Sequence, residues 1–195
     1  MTHTVTVEPT GEQIEVEEGQ TILQAALRQG VWIPFACGHG LCATCKVTVL
    51  DGDVDVGDAS PFALMDSERD DGKVLACCAT VESDVTIEAD IDVDEDFEGY
   101  AVEDFNATVT KIVDLSPTIK GVHFSLDSSM TFQAGQYINL LLPGCDGVRA
   151  FSIANAPSNS QAVELHIRQV PGGAATTYIH EQLKVGETLP MSGPY

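Results

Sequence analysis

Three cysteines lie within one short stretch, Cys37-Gly38-His39-Gly40-Leu41-Cys42-Ala43-Thr44-Cys45, and two more stand side by side far downstream at Cys77 and Cys78. A C-x4-C-x2-C spacing with a distant fourth cysteine suits a loop that presents three thiolates to a [2Fe–2S] cluster while a second segment supplies the fourth. Four thiolates must converge on such a cluster from outside, so the loop has to curl tightly. Gly38 and Gly40 permit the curl: without a Cβ they tolerate positive φ, and they let backbone N–H groups approach the sulfurs, where hydrogen bonds tune the potential. A structural zinc site would more usually pair one CxxC with a second or with two histidines. His39 could in principle ligate, but four cysteines are already present, and an exposed loop residue is the simpler reading. On an extended segment, successive side chains point opposite ways, so one of Cys77 and Cys78 faces the cluster. The residues alone do not say which. The remaining cysteines, Cys145 included, read as small buried side chains.

These donors need elements to hold them. Thr4-Val5-Thr6-Val7, a turn at Pro9-Thr10-Gly11, and Ile14-Glu15-Val16 predict a β-hairpin. Thr21 is a helix N-cap, Ile22, Leu23, Ala26 and Leu27 form a helical apolar stripe, and Gly30 suits the left-handed stop. Lys46–Leu50 predicts a strand, Ser60-Pro61 a second short helix running through Leu64-Met65, and Lys73–Ala76 with Val85–Ile87 the rest of the sheet. Downstream come short strands at 107–113, 121–126, 137–142, 148–153 and 163–170, interrupted by a helix at 174–183. That spacing predicts a closed antiparallel barrel, and the chain as a whole a mainly β, α+β fold.

Composition sets the limits. Apolar residues make up 44% of the 195 and charged residues 20%, as in ordinary globular domains. The formal charge of −21 disfavours binding to nucleic acid or an anionic membrane, and no apolar run approaches the roughly 20 residues that cross a bilayer. The start, Met1-Thr2-His3-Thr4-Val5, has no basic segment followed by an apolar one, so the chain is expected in the cytoplasm. There, thiols more often bind metal than form disulfides. The charge is uneven: residues 1–99 hold 22 acids against 4 Lys or Arg, and residues 100–195 hold 8 against 5. The break falls in the acidic run Ile91–Gly99, whose acids repel one another. The expected organisation is a first domain at 1–91, an acidic linker at 92–102 and a second domain at 103–195.

Cys37 to Cys45 together with Val74-Leu75-Ala76-Cys77 resembles the plant-type ferredoxins, which have a β-grasp fold and whose last ligand ends a Leu-x-Cys sequence. The resemblance implies Cys37, Cys42, Cys45 and Cys77 as ligands and so selects Cys77 over Cys78. The second half resembles the FAD-binding barrel of the ferredoxin-NADP reductase superfamily through Arg149-Ala150-Phe151-Ser152, its Arg-x-Tyr/Phe-Ser/Thr signature. By that resemblance Arg149 would neutralise the flavin pyrophosphate, Phe151 would pack on the isoalloxazine, and Ser152 would hydrogen-bond near N5 or O4. A second signature, Gly-x-x-Ser/Thr, is matched by Gly173-Ala174-Ala175-Thr176 at a predicted helix start, where free N–H groups and the positive dipole end favour phosphate.

Both halves in this order resemble the reductase components of bacterial multicomponent monooxygenases, phenol hydroxylase reductases in particular. That resemblance also runs through Ile33-Pro34-Phe35-Ala36 and Phe132-Gln133-Ala134-Gly135-Gln136-Tyr137. It implies that electrons pass from NADH through FAD and the cluster, one at a time, to a di-iron aromatic hydroxylase. The family continues into a nicotinamide-binding domain. No G-x-G-x-x-G followed by an acidic residue occurs before Tyr195, so residues 1–195 alone are expected to oxidise NADH slowly or not at all. A ferredoxin-like carrier without flavin activity, and a binding module stabilised by a structural metal, are the competing readings.

Overall fold

The computed structural model describes residues 1–91 and 99–195, and the chain divides into two compact units, Met1–Ala101 and Val102–Tyr195. Most of the expected linker, residues 92–98, lies outside the described residues. Among those described, no helix is long and apolar enough to cross a membrane.

The first unit begins with the expected hairpin, β1 (Thr2–Glu8) against β2 (Glu12–Glu17). Val5, Val7, Ile14 and Val16 are fully buried while Gln13 and Glu15 between them face solvent, the period-two alternation of a sheet with one wet face. Helix α1 (Ile22–Arg28) follows, its Gln24 N–H capped by the Thr21 hydroxyl, and Gly30 takes φ 76 just past its end. Then come β3 (Lys46–Asp51), β4 (Val54–Asp55), α2 (Asp66–Asp70), β5 (Lys73–Leu75), β6 (Thr80–Val81) and β7 (Val85–Ala89). The main sheet runs β2-β1-β7-β3-β5, with β1 and β7 parallel at its centre and the other pairs antiparallel. This is the mixed sheet crossed by a helix that defines the β-grasp.

One expectation is displaced. Ser60-Pro61 opens a turn in which the Ser60 carbonyl accepts from Ala63 and Leu64 N–H, and the helix begins later, at Asp66. Glu68 decides the start: its carboxylate accepts from the Met65 N–H at 3.0 Å, satisfying a donor that Pro61 has no means to cap.

The second unit contains β8 (Glu103–Ser116), β9 (Ile119–Leu126), β10 (Tyr137–Leu141), β11 (Val148–Ser152), β12 (Ala162–Arg168), α3 (Ala174–Glu181) and β13 (Thr188–Gly193). The sheet order β11-β10-β13-β8-β9-β12 is antiparallel throughout, and an isolated bridge, Ile153↔Leu165, brings its two edges together. Closure makes a six-stranded barrel around Phe105, Phe124, Ile138, Leu140, Leu165 and Met191. The sequence expectation omitted β13, which lies between β10 and β8 and completes the barrel.

Candidate cluster and flavin sites

The cysteine loop follows α1 and runs without regular structure into β3. Gly38 and Gly40 adopt φ 67 and 72, as the curl requires, and so does one residue with a side chain, Ala43 at φ 63. The left-handed region costs an L-residue about 1–2 kcal/mol, so Ala43 is a strained point between Cys42 and Cys45. The loop sits on the segment after β5: the Ala76 N–H donates to the Cys45 carbonyl at 2.8 Å, and Leu23 N–H and Ile22 N–H of α1 donate to the Ala76 and Ala79 carbonyls at 2.8 and 3.0 Å. The otherwise unsatisfied N–H groups at the start of α1 thereby fix the stretch that carries Cys77.

The four expected thiols share one neighbourhood. Cys42 hydrogen-bonds with the Thr44 hydroxyl at 3.2 Å. Hydrogen bonds from Thr44, and then from Cys37, lower its thiol to about 6. A hydrogen bond between Cys45 and Cys77 is the leading influence on both, raising Cys45, which burial raises further, and lowering Cys77. Among the described residues no three His, Cys, Asp or Glu side chains group as the ligands of a single ion would. Two bridged irons need four thiols, two on each iron. Backbone donors accompany them: His39 N–H reaches Cys37 Sγ at 3.4 Å and Gly40 N–H reaches Cys77 Sγ at 3.3 Å. The His39 side chain is exposed, as expected. Cys45 is buried and Cys42 exposed, so the site has an inner and an outer edge.

The extended backbone expected at Cys77 and Cys78 is not found. Cys78 and Ala79 N–H both donate to the Leu75 carbonyl, so the chain turns here rather than running extended, and the two Sγ atoms come within 3.7 Å of each other. What separates them is contact: Cys77 meets Cys45 and the Gly40 N–H, while the Cys78 thiol is raised chiefly by burial.

In the barrel, Arg149, Phe151 and Ser152 lie on β11. The Arg149 guanidinium donates to the Asp146 and Val148 carbonyls at 2.8 and 2.9 Å and is otherwise exposed. Phe151 packs partly buried against the barrel core. Gly173 is the N-cap of α3, and Thr176 donates to the Gly173 carbonyl at 3.2 Å while accepting from Val170 N–H at 3.0 Å. The Thr176 hydroxyl therefore closes the turn 170–173. Continuing the Ile153↔Leu165 register would set Arg149 opposite Gln169, a few residues before α3. The two strands meet at that isolated bridge and at the Ala154 N–H bond to the Glu164 carbonyl.

A β-grasp unit that gathers four cysteines and a six-stranded barrel with an Arg-x-Phe-Ser strand are the marks of an iron-sulfur flavoprotein. Residues 5–82 match the 2Fe-2S iron-sulfur cluster binding domain family and residues 106–195 the oxidoreductase FAD-binding domain family, so the chain joins a domain of each. Over all 195 residues it is 68% identical to the reductase component DmpP of phenol 2-monooxygenase from Pseudomonas sp. (strain CF600) and 66% identical to the phenol hydroxylase P5 protein of Acinetobacter pittii (strain PHEA-2), covering 55% of each. Among solved structures, it matches the Amycolatopsis cytochrome P450 reductase GcoB with a TM-score of 0.90 and 37% identity, over 100% of this chain and 57% of that one. The chain thus spans about half the length of the curated relatives it matches.

Proposed function

We propose that this chain relays electrons from a nicotinamide donor, through FAD and a [2Fe–2S] cluster, to a di-iron hydroxylase acting on a phenol-type aromatic substrate. FAD takes two electrons together and the cluster one at a time, so the pair turns hydride oxidation into single-electron steps. Cys37 and Cys42 would hold the outer iron, and Cys45 and Cys77 the inner one, with His39 and Gly40 N–H groups facing ligand sulfurs. Arg149 and the first turn of α3, Gly173-Ala174-Ala175-Thr176, would take the flavin pyrophosphate. Phe151 would supply an apolar face to the ring and Ser152 a hydroxyl. The observation that carries this reading is the meeting of the cysteine loop with the Cys77 segment, Gly40 N–H on Cys77 Sγ and Ala76 N–H on the Cys45 carbonyl, with Cys42 exposed, in a chain that also holds the six-stranded barrel.

The exposed edge is suited to handing electrons on. Leu41, next to Cys42, is 68% exposed, and Phe62 is 97% exposed on the turn whose Ser60 N–H is tied to the Gly40 carbonyl at 3.1 Å. The acidic residues of the first unit would steer a partner with a basic rim toward that apolar edge, with an on-rate that falls as salt rises.

The direct test is an absorption spectrum with iron, sulfide and flavin analysis on the purified chain. Equal iron and inorganic sulfide together with bound FAD are expected, and zinc in their place would refute the reading. Serine at Cys37, Cys42, Cys45 or Cys77 should each abolish or severely damage the cluster, because an iron is left under-coordinated, whereas Cys78→Ser and Cys145→Ser should retain it.

A further inference from the structure

The ligand set leaves Cys78 unused, yet the surrounding backbone is shaped around it. A Cβ at Gly40 would stand 2.6 Å from Cys78 Sγ, and one at Gly57 would stand 2.4 Å from the Cys78 carbonyl oxygen, so a side chain at either glycine would collide with this residue. Both glycines have positive φ, which brings their backbone against Cys78 from two directions. The turn at Leu75–Ala79 supplies a third constraint and places Cys78 Sγ 3.7 Å from Cys77 Sγ, within reach of an S–H···S hydrogen bond. The same Cys77 sulfur already accepts from Gly40 N–H. A free cysteine serving only as packing has no need of this alignment, since its usual surroundings are apolar.

We propose that Cys78 is a positioning residue that donates its S–H to the Cys77 sulfur and raises the reduction potential of the cluster. The inference rests on the assignment of Cys77 as a ligand. Negative charge on a ligand sulfur grows when the cluster gains an electron, so a donor aimed at that sulfur stabilises the reduced form more than the oxidised one. The Gly40 donor belongs to the backbone and survives any substitution. Cys78 is the donor that a mutation can remove without altering the loop.

The test is a redox titration of the full chain followed by the EPR signal of the reduced cluster, which reports the cluster separately from the flavin. Cys78→Ala should keep wild-type iron and sulfide but become harder to reduce, by up to about tenfold in the one-electron equilibrium, or about 59 mV. Cys78→Ser, whose hydroxyl can donate, should return toward the wild-type potential. An unchanged potential in Cys78→Ala would overturn the proposal. So would equal shifts in the alanine and serine variants, which would show packing rather than a hydrogen bond, and so would loss of iron in both. A cluster that survives Cys77→Ser but is lost in Cys78→Ser would instead overturn the ligand assignment itself.

Discussion

Gly38 and Gly40 share a backbone conformation but not an environment, and comparing their alanine variants isolates what the crowding around Cys78 is worth. Their φ values, 67 and 72, impose nearly the same penalty on an alanine, about 1–2 kcal/mol. At Gly38 the added Cβ meets nothing within 4 Å, so that penalty is the whole cost. At Gly40 it meets Cys78 Sγ at 2.6 Å, the Asp58 carbonyl oxygen at 3.3 Å and Ala59 Cα at 3.4 Å. Forcing a methyl group into a packed site adds about 1–3 kcal/mol. Gly40→Ala should therefore be the worse variant by that increment, roughly five- to a hundredfold at about 1.4 kcal/mol per tenfold. The assay is the first-order loss of visible cluster absorbance in fixed urea with an iron chelator present, where contacts broken before the transition state appear in full in the unfolding rate. Adding Cys78→Ala to Gly40→Ala removes the closest clashing atom and should slow bleaching again, because the two sites are in contact and not additive. Equal bleaching rates for the two single variants, or a double variant as fast as Gly40→Ala, would refute the argument.

Arg149→Ala should weaken FAD retention by about 1.5–3 kcal/mol, the worth of a hydrogen bond to a charged group, without changing the cluster's absorbance. Unaltered flavin affinity by fluorescence titration would show that the phosphates lie elsewhere. Ala43→Gly should slow cluster bleaching, since glycine removes the left-handed strain at φ 63 at a cost in unfolded-chain entropy of about 0.5–1 kcal/mol. Faster bleaching would mean that the strain is not stored there. The Glu68 carboxyl is held below its usual range first by its hydrogen bond to Lys46, at 2.6 Å, so its contribution is present above the ordinary carboxylate range and is lost as pH falls through the depressed folded value. The stability gap between wild type and Glu68→Gln, measured by denaturant midpoints, should be largest near neutral pH and close in acid. A gap independent of pH would rule out a charge origin.

The elements with a local cause were legible in the sequence. Thr21 caps α1 and Gly30 ends it because both act on the backbone within a turn of their own position. The alternation of Val5, Val7, Ile14 and Val16 marks a half-buried hairpin whatever it packs against. Where two local signals competed, position was lost: Pro61 suits a first helical turn, but Glu68 reaches back to the Met65 N–H and sets the start of α2 five residues later. Pro190 hid β13, since proline argues against an interior strand. Leu189, Met191 and Gly193 are nonetheless buried in alternation, and Pro190 is paired with Asn106 of β8.

The cluster site divides along the same line. Cysteine spacing points to three candidate donors because three thiolates on one short loop have few other uses, but it carries no information about how the loop meets the segment near Cys77. That meeting depends on the Ala76 N–H finding the Cys45 carbonyl and on α1 offering its first N–H groups to Ala76 and Ala79, contacts between stretches about thirty to sixty residues apart. These bonds turn the chain at Cys77–Cys78 and bring both sulfurs to one side, which alternation along a strand would forbid. The left-handed Ala43 is equally non-local: its own side chain gives no signal for positive φ, and the conformation is imposed by carrying Cys42 and Cys45 to opposite ends of the site. Since the first N–H groups of α1 are spent on this segment, a substitution that frays the helix start, such as Thr21→Ala, disturbs Cys77 without touching any ligand. The same helix that supplies apolar core to the β-grasp therefore also holds the segment that carries Cys77.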